Sequence, residues 1–308
     1  HSLPVNKKTG KLHINASGQK CTVYEGTSGN TGISLGLVSN YIGFNSSIFL
    51  NDDLANEKYQ ALEVCGCKLN KVRPVSYIDG GHFVKRAQAS ALADESGYYS
   101  DQFNNPDNTE GHLLETGKEI LDQMKGDMDY FVMGAGTGAS INGISNYLAK
   151  ASKKKVNVVL ADPAGSSLYN WAMCGTLFTQ EDRDGHKKRH IRRTMVEGIG
   201  LNWLCKNLEG AKIDHAEKIA DVEALNIARY MIRHEGLLVG STTAVNLAAV
   251  VKTCKRFNLK GKRIVTVCCD DGFRHITKFY NREKWKDFGF EYVEYNIEDP
   301  MNLDFISI

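Results

Sequence analysis

Short apolar segments that alternate with amphipathic ones are the feature that most constrains the fold of this chain. The segment CTVYEG is typical of a strand, and ISLGLVSNYIG after it has the spacing of a helix that ends at Gly43. The same alternation predicts strands at SSIFLN, DYFVMG, VNVVLAD and RIVTVC, and a helix at VEALNIARYMIRHEG that ends at Gly236. Strands that alternate with helices indicate an α/β fold with a largely parallel sheet.

Helical spacing also predicts an apolar face on each of the first two helices. In the first helix this face carries Ile33, Leu37, Val38 and Tyr41. In the segment NEKYQALEVCGC we expect Tyr59, Leu62 and Val64 to point inward. A later helix, STTAVNLAAVVKTCKRF, begins with hydroxyl residues that are suited to cap it.

Composition narrows the classes of function. The 308 residues carry a formal net charge of +2, which gives no reason to expect nucleic acid as a partner. No apolar run approaches membrane-spanning length, so we expect no membrane insertion. The eight cysteines fit no zinc-binding spacing, and we expect buried free thiols, no bound metal and a reducing compartment. The sequence starts at His1 without a signal-peptide core, which leaves room for a longer gene product.

Three predicted strands end in unusual loops. These loops are EGTSGNTG after the first strand, GAGTGAS after Met133 and CDDG after Cys268. In parallel α/β sheets, ligands bind outside the carboxyl ends of the strands. Three such loops in one chain therefore indicate a shared pocket. The remaining charge-rich stretch, DRDGHKKRHIRR, is typical of a solvated loop.

The loop GAGTGAS opens a predicted helix and has the composition of a phosphate site. Backbone N–H groups at a helix start have no partner inside the helix, and the helix dipole adds partial positive charge there. Glycines let an anion approach the backbone, and Thr137 and Ser140 add hydroxyl donors. A tight turn between strand and helix is the simpler alternative, although one glycine would serve it.

The same loop also fits a dinucleotide-binding fingerprint. Gly134, Gly136 and Ala139 match GxGxxA, and Asp162 ends the next strand, where a ribose-binding acid would lie. A nicotinamide-dependent enzyme is therefore an alternative. It leaves TSGNTG and CDDG unexplained, so it ranks second.

The loop TSGNTG has the composition of a carboxylate site. Thr27, Ser28 and Thr31 offer hydroxyls beside the N–H groups of another helix start, and Asn30 could bond a ring substituent. A helix cap rich in hydroxyls is the alternative. Phosphate at one loop and carboxylate at another describe an amino acid attached to a phosphorylated cofactor.

In this order, the motifs resemble those of the cysteine synthase / cystathionine β-synthase family of fold-type II pyridoxal-phosphate enzymes. EGTSGNTGISL resembles the substrate-carboxylate loop, DQFNNPDNTEGH the QF-NP-N segment, and GAGTGASING the phosphate loop. VEGIG, EGLLVGSTTAVN and CDDGFRHITKF follow in the expected order. ADPAGSSLYN and GSTTAVN resemble the fungal-type branch, which is often mitochondrial. The similarity covers roughly residues 10 to 290.

The resemblance implies roles for individual residues. The substrate's carboxylate would be held by Thr27, Ser28, Asn30, Thr31 and Gln102, with Asn30 also near the cofactor's ring oxygen. The cofactor's phosphate would be held by Gly136, Thr137, Gly138, Ala139 and Ser140, with Gly198 and Gly200 in a loop that lines the pocket. Asp271 stands where the family usually has a Ser bonded to the pyridine nitrogen.

The resemblance also implies a two-domain architecture with open parallel sheets, like that of tryptophan synthase β. We predict a small mobile domain at residues 31–99, a large cofactor-binding domain at 1–30 and 100–290, and a C-terminal extension at 291–308. The family's reaction is β-elimination or β-replacement on a serine-type amino acid in sulfur metabolism. A homodimer, or a subunit of a larger assembly, is expected, in the mitochondrion or the cytoplasm.

The family's Schiff-base lysine is not found in this sequence. The family carries it in a KDR-like motif upstream of EGTSGNTG, and none of Lys7, Lys8, Lys11 and Lys20 precedes Asp-Arg. Polar, turn-like sequence around them is typical of surface lysines. Either the lysine lies upstream of His1, or the protein is a catalytically degenerate member kept as a structural subunit of a larger assembly.

Asp271 in place of Ser predicts altered reaction specificity. A carboxylate near the ring nitrogen favours its protonation and makes the ring a stronger electron sink. We therefore expect transaminase-like or racemase-like side reactions. The alternative is that Asp270 and Asp271 cap the following turn.

Overall fold

The computed structural model describes residues 20–179 and 194–308. These residues form two compact units, one that ends at Gln102 and one that starts at Phe103. The charge-rich stretch at 182–193 and the lysines Lys7, Lys8 and Lys11 lie outside the described residues.

The first unit is built on a parallel four-stranded sheet. Its strands are β1 (Thr22–Gly26), β2 (Asn45–Asn51), β3 (Lys68–Val72) and β4 (Gly97–Tyr99), in the order β3-β2-β1-β4. Its helices are α1 (Asn30–Ile42), α2 (Asn56–Val64) and α3 (Phe83–Ala93). All three strand pairs are parallel, as a right-handed β-helix-β connection requires.

The second unit also has a parallel four-stranded sheet. Its strands are β5 (Tyr130–Gly134), β6 (Asn157–Pro163), β7 (His215–Ile219) and β8 (Ile264–Thr266), in the order β7-β6-β5-β8. Its α-helices are α4 (Pro106–Gly111), α5 (Gly117–Gln123), α6 (Ala139–Ala151), α7 (Leu168–Cys174), α8 (Asp221–Tyr230), α9 (Ser241–Arg256) and α10 (Arg282–Asp287). Two π-helical turns (His112–Thr116 and Met231–Glu235) and a 3₁₀ turn (Gly272–His275) also lie among the described residues of this unit.

The predicted fold class, α/β with open parallel sheets, is confirmed. All five strands predicted from sequence are present, and the helices end at Gly43 and Gly236 in the left-handed conformation that suits glycine. The first unit includes β1 and Gln102. The prediction of a mobile domain at residues 31–99 concerns motion, and it stays a prediction.

Two predictions about buried faces are wrong. In α1 the buried residues are Gly32, Ile33, Gly36 and Ser39, whereas Leu37, Val38 and Tyr41 are exposed, Tyr41 to 92%. In α2, Tyr59 and Leu62 are buried as expected, but Val64 is 88% exposed. The reason in α1 is close packing: a Cβ on Gly36 would collide with the sulfur of Cys67, so the helix approaches its neighbours through small residues.

The C-terminal stretch after α10 has no regular secondary structure, yet side chains of α8 and α9 hold it. Asn226 bonds the backbone at Val293 and Tyr295, and Lys255 donates to the carbonyls of Leu303 and Ile306. Ile297, Phe305 and Ile306 are buried in the main core of the second unit. This segment is therefore part of the folded unit.

All eight cysteines are free thiols. Burial was predicted for several of them, and it holds for Cys65, Cys67 and Cys205. Cys174, Cys268 and Cys269 are exposed. No helix among residues 20–179 and 194–308 combines the length and the hydropathy that crossing a membrane requires.

Candidate functional site

The loop TSGNTG connects β1 to α1 and turns sharply at Gly29. Gly29 has a φ of 131°, a value that favours glycine, and its N–H donates to Thr27 Oγ1 at 3.1 Å. Thr27 is buried, Ser28 and Thr31 are half-buried, and Asn30 is exposed. Gly29, the residue before α1, has no side chain that could cap the helix. The alternative interpretation of the loop's hydroxyls as a helix cap stays a prediction.

Gln102 lies against this loop although it follows β4. Its Oε1 accepts a hydrogen bond from Thr31 Oγ1 at 2.7 Å, and its Nε2 donates to Gly26 O at 2.5 Å. Both bonds fall within the first unit. The fold therefore brings together Thr31 and Gln102, two residues that the motifs assign to the substrate's carboxylate.

A buried acid, Glu25, lies directly before the loop, and sequence reasoning missed it. Its carboxylate accepts hydrogen bonds from Gly26 N, Ser100 Oγ and Gln102 N. Burial raises the pKa of Glu25 to about 7, against the effect of these hydrogen bonds. The only signal in the sequence is an acidic residue inside an otherwise buried strand segment.

The loop GAGTGAS connects β5 to α6 in the second unit. Gly138 is the residue before the helix, with a φ of 80°, and it offers no side-chain cap. The N–H groups of the first turn of this 13-residue helix therefore lack partners inside it, as a phosphate site requires. Thr137 Oγ1 lies 3.4 Å from Asn108 Nδ2, and Ser140 Oγ lies 3.0 Å from His112 Nε2.

His112 is a second residue that the motifs did not reveal. Burial lowers the pKa of its imidazole, so the ring is neutral at neutral pH. A neutral ring can orient the Ser140 hydroxyl without adding charge. The helix start, with the hydroxyls of Thr137 and Ser140, thus fits the phosphate of a cofactor.

The glycines of this loop have a further role. A Cβ on Gly136 would collide with the carbonyl oxygen of Gly198, so the phosphate loop and the VEGIG loop touch through their backbones. Gly198 and Gly200 both have positive φ values, 94° and 81°. The glycine pattern therefore reflects close backbone packing as well as the space an anion needs.

Asp271 lies at the start of the 3₁₀ turn and its side chain is 52% exposed. Its Oδ2 lies 3.8 Å from Arg274 Nε, and it makes no side-chain cap bond. The neighbouring Asp270 is buried and pairs with His275 instead. Asp271 thus does not cap the turn through its side chain, whereas Asp270 contacts the last residue of that turn. The role of Asp271 at a ring nitrogen stays a prediction.

Asp162, the acid of the dinucleotide fingerprint, is buried at the end of β6. Its Oδ2 accepts from Tyr169 N at 2.8 Å and lies 3.1 Å from Lys218 Nζ. Asp162 therefore fixes α7 and β7 against β6, a role that needs no ribose. Among the described residues no cluster of His, Cys, Asp or Glu is placed to hold a metal ion.

Comparison with known proteins finds a matching family model and several relatives with similar sequences. The family model described as "Pyridoxal-phosphate dependent enzyme" matches residues 10–270. "Cysteine synthase 2" of Schizosaccharomyces pombe is 42% identical over 94% of this chain and 74% of its own length. "Putative mitochondrial cysteine synthase" of Saccharomyces cerevisiae is 37% identical over 98% of this chain and 77% of its own length. "Cystathionine beta-synthase" of Apis mellifera is 32% identical over 87% of this chain and 50% of its own length.

Proposed function

Because this chain belongs to the pyridoxal-phosphate dependent enzyme family, in the group of cysteine synthases and cystathionine β-synthases, we propose that it catalyses β-elimination or β-replacement on a serine-type amino acid. Serine, O-acetylserine and cysteine make up this substrate class. The hydrogen bond between Thr31 and Gln102 carries the proposal. It joins two residues 71 positions apart, both of which the motifs assign to the substrate's carboxylate.

The first unit supplies the residues for binding the substrate. The loop from Thr27 to Thr31 offers hydroxyls and N–H groups but no charged side chain. Such a set holds a carboxylate by hydrogen bonds alone, and it fixes the direction of the amino acid as well as its affinity. Asn30, which is exposed at the start of α1, would be the residue near a ring substituent of the cofactor.

The second unit supplies the residues for binding the cofactor. The first turn of α6, with Thr137 and Ser140, would hold the phosphate of pyridoxal phosphate. When bound, this cofactor supplies the electron sink for the charge that develops on the substrate's α-carbon. Asp271 would place a carboxylate at the ring nitrogen, where the family usually has Ser.

The α-proton still needs a base, which in this family is the lysine that binds the cofactor. The first experiment is to treat the natively purified full-length protein with borohydride and to map its peptides for a pyridoxyl-lysine. An adduct on one lysine, together with sulfide-dependent consumption of O-acetylserine, would support the enzyme. A full-length protein without any adduct would instead support the degenerate structural subunit.

We propose a homodimer in the mitochondrion or the cytoplasm as the working state. The mitochondrial location rests on the name of the Saccharomyces cerevisiae relative and on the resemblance of ADPAGSSLYN and GSTTAVN to the fungal-type branch. Light scattering on the purified protein tests the dimer, and a complex with other chains in native extracts would point to a larger assembly. Fractionation of cells tests the location.

A further inference from the structure

Glu25 is the next-to-last residue of β1, and its side chain is fully buried in the first unit. Its Oε1 accepts from Gly26 N at 2.7 Å. Its Oε2 accepts from Ser100 Oγ at 2.6 Å and from Gln102 N at 3.0 Å. One carboxyl group therefore ties the end of β1 to the segment that follows β4.

The same carboxyl group fixes the orientation of the Gln102 amide. Gln102 Nε2 lies 3.5 Å from Glu25 Oε1 and donates to Gly26 O, so the amide nitrogen must face this side. The amide oxygen then faces α1, where it accepts from Thr31 Oγ1. A chain of hydrogen bonds thus leads from the buried carboxyl group to a hydroxyl of the TSGNTG loop.

We propose that Glu25 is a positioning residue for substrate binding: it fixes Gln102, whose amide oxygen takes the hydroxyl hydrogen of Thr31 and so holds the start of α1, where the N–H groups of the TSGNTG loop would receive the substrate's carboxylate. The proposal rests on the proposed function, because it takes an amino acid to be the ligand of the TSGNTG loop. It extends that function to a residue that does not touch the substrate.

The charge of Glu25 changes near neutral pH, since burial raises its pKa to about 7. The hydrogen bonds from Ser100, Gln102 and Gly26 lower this pKa, and the nearby Asp101 raises it. The phenol pKa of Tyr99 is raised first by burial and then by the charge of Glu25. The charged groups that act on Glu25 thus disfavour its ionised form.

The neutral form of Glu25 has a partner in place. A proton on Oε2 can be donated to Ser100 Oγ, whose own hydrogen can turn toward Tyr24 O at 3.4 Å. When Glu25 is ionised, its negative charge lies two hydrogen bonds away from Thr31, in the loop that would hold another carboxylate. Affinity for the substrate is therefore expected to fall as pH rises through about 7.

The test compares the wild-type holoenzyme with Glu25→Gln, and uses Glu95→Gln as the matched control. Glu95 is exposed in the turn before β4, so its loss changes the charge equally without touching the loop. KM and kcat for O-acetyl-L-serine with sulfide are measured across about two pH units around neutrality. Amide hydrogen exchange of the peptide covering residues 27–33 is measured over the same pH range. Each exchange rate is corrected for the pH dependence of the intrinsic exchange rate of an unfolded peptide.

For wild type and Glu95→Gln we expect KM to rise by about fivefold with pH while kcat for the saturated enzyme changes little. Protection of the 27–33 peptide should fall over the same range, and in Glu25→Gln both quantities should be independent of pH. Glu25→Gln with the same pH dependence as wild type would overturn the proposal, as would a wild type in which neither quantity depends on pH.

Two further outcomes separate this proposal from the proposed function. If no O-acetylserine is consumed at any pH, the proposed function fails, while the exchange data still decide whether Glu25 positions the loop. If Glu25→Gln does not fold, Glu25→Asp replaces it. Its shorter carboxylate keeps the charge but cannot reach both Gly26 N and Gln102 N, so protection of the 27–33 peptide should be low at every pH; wild-type protection in that variant would overturn the proposal.

Discussion

His275 Nε2 lies 2.9 Å from Asp270 Oδ2, and both side chains are buried. The other ring nitrogen of His275 lies 3.3 Å from Ser241 Oγ, and Asp270 Oδ1 lies 3.3 Å from Thr242 Oγ1. The pair of Asp270 and His275 thus joins the loop after β8 to the 3₁₀ turn and to the start of α9. The hydroxyl residues that the sequence suggested as caps of α9 are used here instead, because Gly240 is the residue before the helix.

Asp270→Asn is therefore expected to destabilise the second unit. The amide keeps the volume of the side chain, but it replaces one of two buried acceptor oxygens by an NH2 group and removes the negative charge beside the ring. The present contacts to His275 and Thr242 therefore cannot both be kept. We expect the free energy of unfolding of the apoprotein to fall by about 1–3 kcal/mol, as measured by urea denaturation. Asp271→Asn is the matched control, since Asp271 is half exposed and should change this free energy by less than about 0.5 kcal/mol. Equal losses in the two variants would contradict the role of the buried pair.

The raised pKa of Glu25 predicts how stability depends on pH. A carboxyl group with a raised folded-state pKa contributes stability that is fully present below its unfolded value of 4.5 and is lost as pH rises through about 7. Each pKa unit corresponds to about 1.4 kcal/mol, so the loss is on the order of 3 kcal/mol.

Urea denaturation of wild type and Glu25→Gln at several pH values between these limits measures this loss. Glu25→Gln cannot ionise, so the difference in unfolding free energy between the two proteins should change in favour of the variant as pH rises. A difference that stays constant would show that Glu25 ionises at its ordinary pKa.

Gly136→Ala is expected to weaken cofactor binding. The added methyl group would collide with Gly198 O, so the phosphate loop or the VEGIG loop must move. We expect pyridoxal phosphate to bind about tenfold more weakly or worse, as measured by absorption titration of the apoprotein. Gly111→Ala is the control, since a Cβ there meets nothing within 4 Å. Equal affinities in the two variants would show that the backbone contact does not shape the phosphate site.

All four central strands of the two sheets were predictable from sequence, whereas only one of the four edge strands was. The strands β1, β2, β5 and β6 are apolar because helices cover both faces of a parallel sheet, and this makes their sequence pattern clear. Sequence reasoning found these four and the edge strand β8, but missed β3, β4 and β7, which are all edge strands. The segments KLNKV, GYY and HAEKI are short or polar, since an edge needs fewer buried side chains.

The residues of the candidate site also fall into those that the sequence motifs indicated and those that they did not. The contact between Thr31 and Gln102 agrees with the motifs, because the motifs assign both residues to one group of the substrate. Glu25, His112 and His275 were missed, since each contacts another protein group, in Gln102, Ser140 and Ser241 respectively, that lies far away in the sequence. The prediction of an apolar face on α1 was wrong for a related reason. Hydrophobic spacing reports large side chains, whereas this helix packs through Gly32, Gly36 and Ser39.

The C-terminal segment is expected to contribute strongly to stability. Ile306 is buried in the core of the second unit, and Lys255 donates to its carbonyl at 2.9 Å. Ile306→Ala should lower the free energy of unfolding by about 2–5 kcal/mol in urea denaturation. Ile308→Ala, two residues further on and exposed, should have almost no effect. Equal effects of the two substitutions would mean that the segment does not pack on the core in solution.

Asp271→Ser tests whether this carboxylate sets the reaction specificity. If Asp271 lies at the ring nitrogen of bound cofactor, its charge keeps that nitrogen protonated and favours transamination and racemisation beside β-replacement. Replacing it by the residue that the family usually has should therefore lower keto-acid and D-amino-acid side products relative to the main product. Chromatography of the products formed from O-acetyl-L-serine and sulfide by the holoenzyme measures this ratio. Asp299→Ser, an exposed change of the same kind in the C-terminal segment, is the control. An unchanged product ratio in Asp271→Ser would show that the half-exposed carboxylate, 3.8 Å from Arg274, has no part in the chemistry.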